Sequence, residues 1–351
     1  MATEMNSVER VRCTIAGEIP DRVPVVALII HHAIRLSGVR YDEYAHNPQL
    51  LVDTQLRAWR EYGYDGFHVT CDNWVLPSAL GCPIQFFADQ PPTAADRILS
   101  RSKDLSLLTR PRTGKEGRMG FKVEATRLAA EAVGDRCYLK TCFDSGPFSL
   151  ATAVRGIENL MLDCTDDPQF VRDLLEICTD AVIKFARACG QAGCHALTFG
   201  DSTAGLLNRD LYRRFAFPYA KRVIDAIADL EIPVFMHICG DTGHIIDLMA
   251  ATGAAGLEVD YQHDIAYYKR ETNRAVCLQG NIAPAGIMYR GTPKDVENAA
   301  RLALEQGMVG GRFILSAGCE IPRDTPSDNL HSLVNATRQF GRYRDTTPSS
   351  T

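Results

Sequence analysis

Residues 233–244 read PVFMHICGDTGH. A proline opens the stretch, an apolar run follows, and the run ends on His237, Cys239 and Gly240. Behind it, TGHIIDLMAATG (242–253) has the apolar spacing of a helix, with Thr242 placed to cap its start and Gly253 its end. The unit reads as a strand feeding a helix. Seven other runs read as strands: VPVVALII (23–30), DGFHVTCD (65–72), CYLKTCFD (137–144), HALTFGD (195–201), GLEVD (256–260), AVCLQGN (275–281) and RFILSAGC (312–319). Helical patterns occupy 167–193, 209–230, where Pro218 predicts a kink or a helix start, and 292–307, with Thr292, Pro293 and Asp295 in starting positions. Such alternation predicts parallel strands joined by helical crossovers. Eight strands permit an α/β fold of the (β/α)8 TIM barrel type or an open doubly wound sheet. Polar residues favour the barrel. Asp72, Asp144, Asp201, His237, Cys239, Asp260, Asn281 and Cys319 sit at or near the C-terminal ends of runs, where barrel enzymes build their sites. No GxGxxG or Walker pattern joins a strand to a helix.

The chain has 351 residues, 46% of them hydrophobic, and a formal charge of -5. That length suits one barrel, read here as a single domain over 1–351 with an excursion at about 86–121, rich in Pro, Arg, Lys and Gly, crossing the barrel mouth. The absence of a lysine/arginine block argues against a nucleic-acid surface. No long uncharged apolar stretch predicts a membrane span, and the N-terminus lacks an apolar signal core, which predicts a cytoplasmic protein. Twelve cysteines without a repeating framework read as buried thiols of a reducing, even anaerobic, compartment. The tail RYRDTTPSST (342–351) reads as frayed, and a homodimer is compatible with the sequence.

Side chains two apart on a strand face the same way, so His237 and Cys239 both point into the predicted mouth. One nitrogen and one sulfur begin a zinc site; a catalytic site commonly takes three protein ligands. Cys319, at the end of the last run and next to Glu320, is the best third donor; His244 is a rival on the following helix. Gly240 and Gly318 beside these residues allow close backbone approach or unusual dihedrals. On spacing alone, a hydrogen-bonded buried histidine among inert thiols is the default reading.

Five motifs then carry a resemblance: HICGDT (237–242), QGNIAP (279–284), FILSAGCEIPRDTPSDNL (313–330), GPFSLA (146–151) and GDSTAGLL (200–207), with DRVPV at 21–25. Together they resemble the uroporphyrinogen decarboxylase superfamily, in particular its zinc-dependent corrinoid methyltransferase branch of the O-demethylase methyltransferase I type. The resemblance spans nearly the whole chain and implies a (β/α)8 barrel. It implies zinc bound through an HxC…C pattern, here His237, Cys239 and Cys319. Asp201, Glu320 and Asn281 would then support the centre or orient substrate: Asp201 and Glu320 as catalytic groups, Asn281 on the cofactor side. It implies a corrinoid (cobalamin) cofactor carried by a separate small protein, because no DxHxxG-type corrinoid signature is present in this chain. Two departures stand out. The arginine-rich segment with which decarboxylases grip substrate carboxylates is reduced to Arg35 and Arg40 within 26–44, and Ala283 replaces the aspartate many relatives carry in QGNIAP.

The expected reaction is methyl transfer. The first expectation is O-demethylation of a methoxylated aromatic compound, the methyl passing to the partner's cob(I)alamin. It rests on His31, His32, Tyr41, Tyr44, Tyr62, Tyr64, His68 and Trp74 as pocket residues, for which core packing is the alternative. The second is transfer from methylcorrinoid to a thiol of the coenzyme M type; methanol, methylamines and halomethanes are further small-molecule donors. A non-catalytic zinc-containing scaffold for the corrinoid protein is the non-enzyme alternative. Arg97, Arg101, Lys103, Arg110, Arg112 and Lys115 of the excursion are expected to help dock that partner.

Overall fold

The computed structural model describes residues 4–343. Ten strands occur among them: β1 Val26–Ala27, β2 Gly66–Val69, β3 Ile84–Gln85, β4 Thr93–Ala94, β5 Tyr138–Ser145, β6 Ala196–Gly200, β7 Val234–His237, β8 Gly256–Glu258, β9 Cys277–Ile282 and β10 Phe313–Ala317. The ribbon β3–β4 is antiparallel and separate. The other eight pair in parallel in the order β1-β2-β5-β6-β7-β8-β9-β10. The ring closes where Val25 bridges Leu315 in parallel and the Leu315 N–H donates to the Pro24 carbonyl at 2.9 Å. This is the predicted (β/α)8 barrel, and all eight predicted runs supply its strands.

The two-residue period of a strand sorts the barrel interior into layers. The lowest is apolar: Val26, Tyr138, Ala196, Phe235, Cys277 and Ile314 cluster with Val8 and Val11 of the helix Ser7–Ala16, which plugs that end. Gly256 has no side chain here because Phe235 fills the space; a Cβ would lie 2.2 Å from its ring. Two residues further along their strands stand Lys140, Thr198, His237, Glu258 and Gln279, all buried. They satisfy one another. Lys140 Nζ donates to Glu258 Oε1 at 2.5 Å and to Gln279 Oε1 at 2.9 Å, and Thr198 Oγ1 donates to Glu258 Oε1 at 2.9 Å. The ammonium also sits 3.6 Å from the centre of the Phe235 ring. The alternate residues, among them Leu139, Leu197, Met236, Leu257, Leu278 and Leu315, face outward into the main core beneath the helices. Sequence and layer thus agree: an apolar plug, a polar floor, and an open mouth above it.

DRVPV fastens the closed end. Arg22 Nη1 and the Val25 N–H both donate to Asp65 Oδ2, at 2.7 and 2.8 Å. Other expectations need adjustment. The pattern at 242–253 forms only the short helix Ile246–Ala250, entered through a turn in which the Ile245 N–H donates to the Thr242 carbonyl, so Thr242 is not its cap. Pro218 is a helix start: Arg209–Phe215 ends before Ala216, and Phe217–Ala226 begins with the proline in its first turn. The helix Pro293–Gly307 has the full capping box of Thr292 and Asp295. The excursion follows β3, contains its partner β4, and ends inside the helix Arg118–Val133, which owns residues 118–121. No helix among the described residues is long and apolar enough to cross a membrane. The expected fraying concerns residues 344–351, which lie outside the described residues; Arg342 itself bridges Arg22.

Candidate metal centre at the barrel mouth

β7 ends on His237, and the chain beyond it brings Cys239 to the same opening; Cys319 arrives two residues after β10. Their donor atoms all lie within 4.8 Å of one another. The His237 ring is oriented from below, with Nδ1 3.0 Å from the Glu258 main-chain carbonyl. A carbonyl can only accept, so Nδ1 carries a hydrogen and Nε2 is the nitrogen left for an ion. Nε2 is 3.0 Å from Cys239 Sγ, and that sulfur is 3.6 Å from Cys319 Sγ. Two thiolates on one zinc, at the usual bond length, stand about 3.8 Å apart, so the sulfurs fit such an ion; the nitrogen is about half an ångström closer than two ligands would sit. The donor set suits zinc. The rival His244 is not part of it: its Nε2 donates to the Leu207 carbonyl at 2.9 Å.

Electrostatics separate these cysteines from the rest. Of the twelve, all free, Cys239 alone is exposed. The Cys319 thiol hydrogen bond, with His237 and Ser202 beside it, pulls Cys239 down to about 3, against the cost of burial. The Cys239 thiolate in turn pushes Cys319 up. By contrast burial pushes Cys71 and Cys277 each up to about 12, as inert core thiols. Burial disfavours the His237 cation, yet the hydrogen bond to Cys239 outweighs it and raises the ring to about 9. These are groups whose protons a bound ion would displace. The neighbouring glycines act as expected: Gly240 adopts φ +84° and donates its N–H to Asp260 Oδ2 at 2.6 Å, whereas a Cβ on Gly318 would meet Asp260 Oδ1 at 2.9 Å.

The three donors line a cavity of about 290 Å³ with Glu320, Asp144 and Glu258 on its walls. Glu320 Oε1 accepts the His31 N–H at 2.8 Å, and burial pushes its carboxyl up to about 7. Burial likewise pushes Asp144 up to about 6, against the opposing charge of Lys122 4.0 Å away. Asp201 and Asn281 are not among the lining residues. Asp201 is buried and ties three elements: its N–H donates to the His237 carbonyl at 2.8 Å, and its Oδ1 accepts the Ser149 N–H at 2.6 Å. A Cβ on Gly146 would lie 2.6 Å from its carboxyl carbon, which is why GPFSLA opens with glycine. Asn281 Nδ2 donates to the His263 carbonyl at 2.7 Å and holds the loop beyond β8.

The expected aromatic pocket is mostly core. Of its eight side chains only His68 and Trp74 line the cavity. Tyr44 and Tyr64 are fully buried, and His32 Nε2 pairs with the Tyr62 hydroxyl at 2.7 Å. Of the excursion's cations, Arg97 lines the cavity and Lys103 is bound to Asp163 and Asp167, while Arg101, Arg110, Arg112 and Lys115 are exposed. Sequence reasoning missed Lys140, Glu258 and Ser202. The first two carried a signal, a charge inside an apolar run (CYLKTCFD, GLEVD); Ser202, whose hydroxyl donates to Cys239 Sγ at 3.2 Å, carried none.

A closed (β/α)8 barrel with a His–Cys–Cys donor set opening onto a cavity at its strand ends belongs to the class of barrel proteins built around one candidate metal centre. Within that class the chain belongs to the uroporphyrinogen decarboxylase (URO-D) family, whose model matches residues 6–340. It is 28% identical over 344 residues to the methylcobamide:CoM methyltransferase MtbA of Methanosarcina acetivorans, covering 96% of this chain and 99% of that one. A uroporphyrinogen decarboxylase of Nocardia farcinica is 30% identical over 317 residues, covering 87% of this chain and 86% of that one. A solved methyltransferase from Methanosarcina mazei shares the fold with a TM-score of 0.88 and 25% identity, covering 96% of this chain and 99% of that one.

Proposed function

We propose that the chain is a corrinoid-dependent methyltransferase that moves a methyl group from a methylcobamide, held on a separate corrinoid protein, to the sulfur of a small thiol of the coenzyme M type. The observation that carries this reading is the pair of sulfurs, Cys239 and Cys319, 3.6 Å apart with His237 on the wall of an open cavity. Three protein donors leave a fourth position for substrate, as in catalytic rather than structural zinc sites, which argues against a scaffold. Zinc bound there would supply the positive charge that favours the thiolate form of an incoming thiol.

The chain's own residues support this direction. Two cysteine thiolates would cancel the charge of a dication held there, which would make it a weak acid for stabilising a departing phenolate but would leave an added sulfur electron-rich. Glu258 fixes the imidazole through its carbonyl, and Ser202 restrains Cys239 by its hydrogen bond. Glu320, next to Cys319 and on the cavity wall, is placed to take the thiol proton. The names of the Methanosarcina relatives support the same direction. Porphyrinogen decarboxylation gains no support from a His–Cys–Cys set.

The methoxyarene reading, the first expectation from the sequence, becomes the second, kept on one observation: Leu28, Ile30, Trp74 and Phe199 give the cavity an apolar wall. A panel of thiols and methoxyarenes, each incubated with zinc-loaded protein and corrinoid in the methylated or reduced state, decides between them. Thioether formation from methylcobamide is the expected result; phenol release coupled to methylation of cob(I)alamin would reverse the order.

A further inference from the structure

Arg97 comes from the excursion between β4 and the helix Arg118–Val133, yet its side chain reaches the cavity, where it is the sole lysine or arginine among the lining residues. Its Nη1 donates to the Ala153 carbonyl at 2.8 Å and, more weakly, to that of Thr152 at 3.4 Å. Its carbon lies 5.8 Å from the centre of the Trp74 ring. Among the described residues it makes no ion pair, and its Nε and Nη2 hydrogens donate to no protein acceptor. A guanidinium keeps its charge under all ordinary conditions, so this wall of the cavity carries one positive charge without an ion-pair partner and with three of its five N–H donors uncommitted.

The neighbouring hydroxyls leave that charge as the wall's available donor. Thr152 Oγ1 donates its one proton to the Ser149 carbonyl at 2.8 Å. Thr203 therefore donates to Thr152, and Ser149 to Thr203, each at 2.9 Å. The three hydroxyls are committed to one another. They also connect Arg97 to the centre, since Thr203 follows Ser202, whose hydroxyl touches Cys239 Sγ. The cysteines and the guanidinium thus line one and the same cavity.

We propose that Arg97 sets acceptor specificity: it receives the anionic end of the methyl acceptor and so makes the cavity discriminate anionic from neutral thiols. The assignment rests on the thiol reading above. It turns the basic excursion from a docking surface into part of the substrate site at this one residue.

Methyl transfer from methylcobalamin to 2-mercaptoethanesulfonate, 3-mercaptopropionate and neutral 2-mercaptoethanol tests it in the wild type, Arg97→Gln and Arg97→Lys. In the wild type kcat/KM should favour the anionic thiols, and the two anions rank sulfonate against carboxylate. In Arg97→Gln the anionic-to-neutral ratio should fall about 10–100-fold, the range of one charge-assisted hydrogen bond, through KM, with partial recovery in Arg97→Lys. A purely structural role would lower all three thiols together and leave the ratio intact, which would overturn the proposal. If the wild type methylates no thiol, the thiol reading fails on its own. Tryptophan fluorescence titration with 2-mercaptoethanesulfonate then decides the site: saturable binding lost in Arg97→Gln upholds the anion receptor, and no saturable binding overturns it.

Discussion

His237 donates its Nδ1 hydrogen to the main-chain carbonyl of Glu258, 3.0 Å away, while the Glu258 carboxylate is held by Lys140 in the barrel axis. One residue thus couples the orientation of a candidate ligand to the buried charge beneath it. The polar floor is therefore part of the centre's geometry rather than filling.

The ligand set predicts metal content directly. Protein purified with zinc should hold about one ion per chain, and Cys239→Ser and Cys319→Ser should each weaken zinc at least about tenfold. Competition with a colorimetric chelator measures this; a variant that retains wild-type affinity removes that cysteine from the set.

Glu258→Gln leaves the Lys140 ammonium buried without its counter-ion. The expected loss of stability is about 3–5 kcal/mol, whereas replacing both partners by apolar residues should cost less than the two single losses combined. Urea unfolding of the two single variants and the double variant closes the cycle.

Asp72 sits buried against Arg118, whose Nη1 donates to Oδ1 at 3.1 Å. Burial alone would raise the carboxyl, but Arg118 outweighs it and holds it below the ordinary range. A depressed carboxyl stabilises the fold above its unfolded value, about 3.9, and that contribution fades as pH falls through the folded value. Asp72→Asn should therefore be destabilised relative to wild type at pH 7, and the gap in urea midpoint should narrow below about pH 4.

Gly146→Ala should destabilise by about 1–3 kcal/mol despite an ordinary backbone conformation. Its φ is -68°, so the penalty comes from the 2.6 Å approach to Asp201 and not from the backbone. Thermal unfolding checks the size, and recovery in Gly146→Ala/Asp201→Ala identifies the clash as the cause.

Much of this was legible in the sequence because barrels use a two-residue period. All eight strands could be read as apolar runs, and His237 and Cys239 share a face by spacing alone. Cys319 could be brought to them only through closure of the ring, which a contact between Val25 and Leu315 achieves across most of the chain. Asp201 and Asn281 stand at strand ends outside the cavity lining, where Asp201 Oδ1 accepts from Ser149 N–H and Asn281 Nδ2 donates to the His263 carbonyl. Tyr44 and Tyr64 look like pocket residues because aromatic character does not distinguish a core face from a cavity face. Lys140 and Glu258 were readable as charges inside apolar runs, but only their meeting in the barrel axis explains why burial is tolerated.

Methyl transfer to a thiol can be followed by single-turnover absorbance of methylcobalamin mixed with zinc-loaded protein and 2-mercaptoethanesulfonate. The methylcobalamin bands should be lost as cob(I)alamin grows, matched one-for-one by thioether, and the rate should fall at least about a hundredfold in Cys239→Ser. Methylcobalamin that persists with every thiol, while cob(I)alamin is methylated by a methoxyarene, would contradict transfer to a thiol.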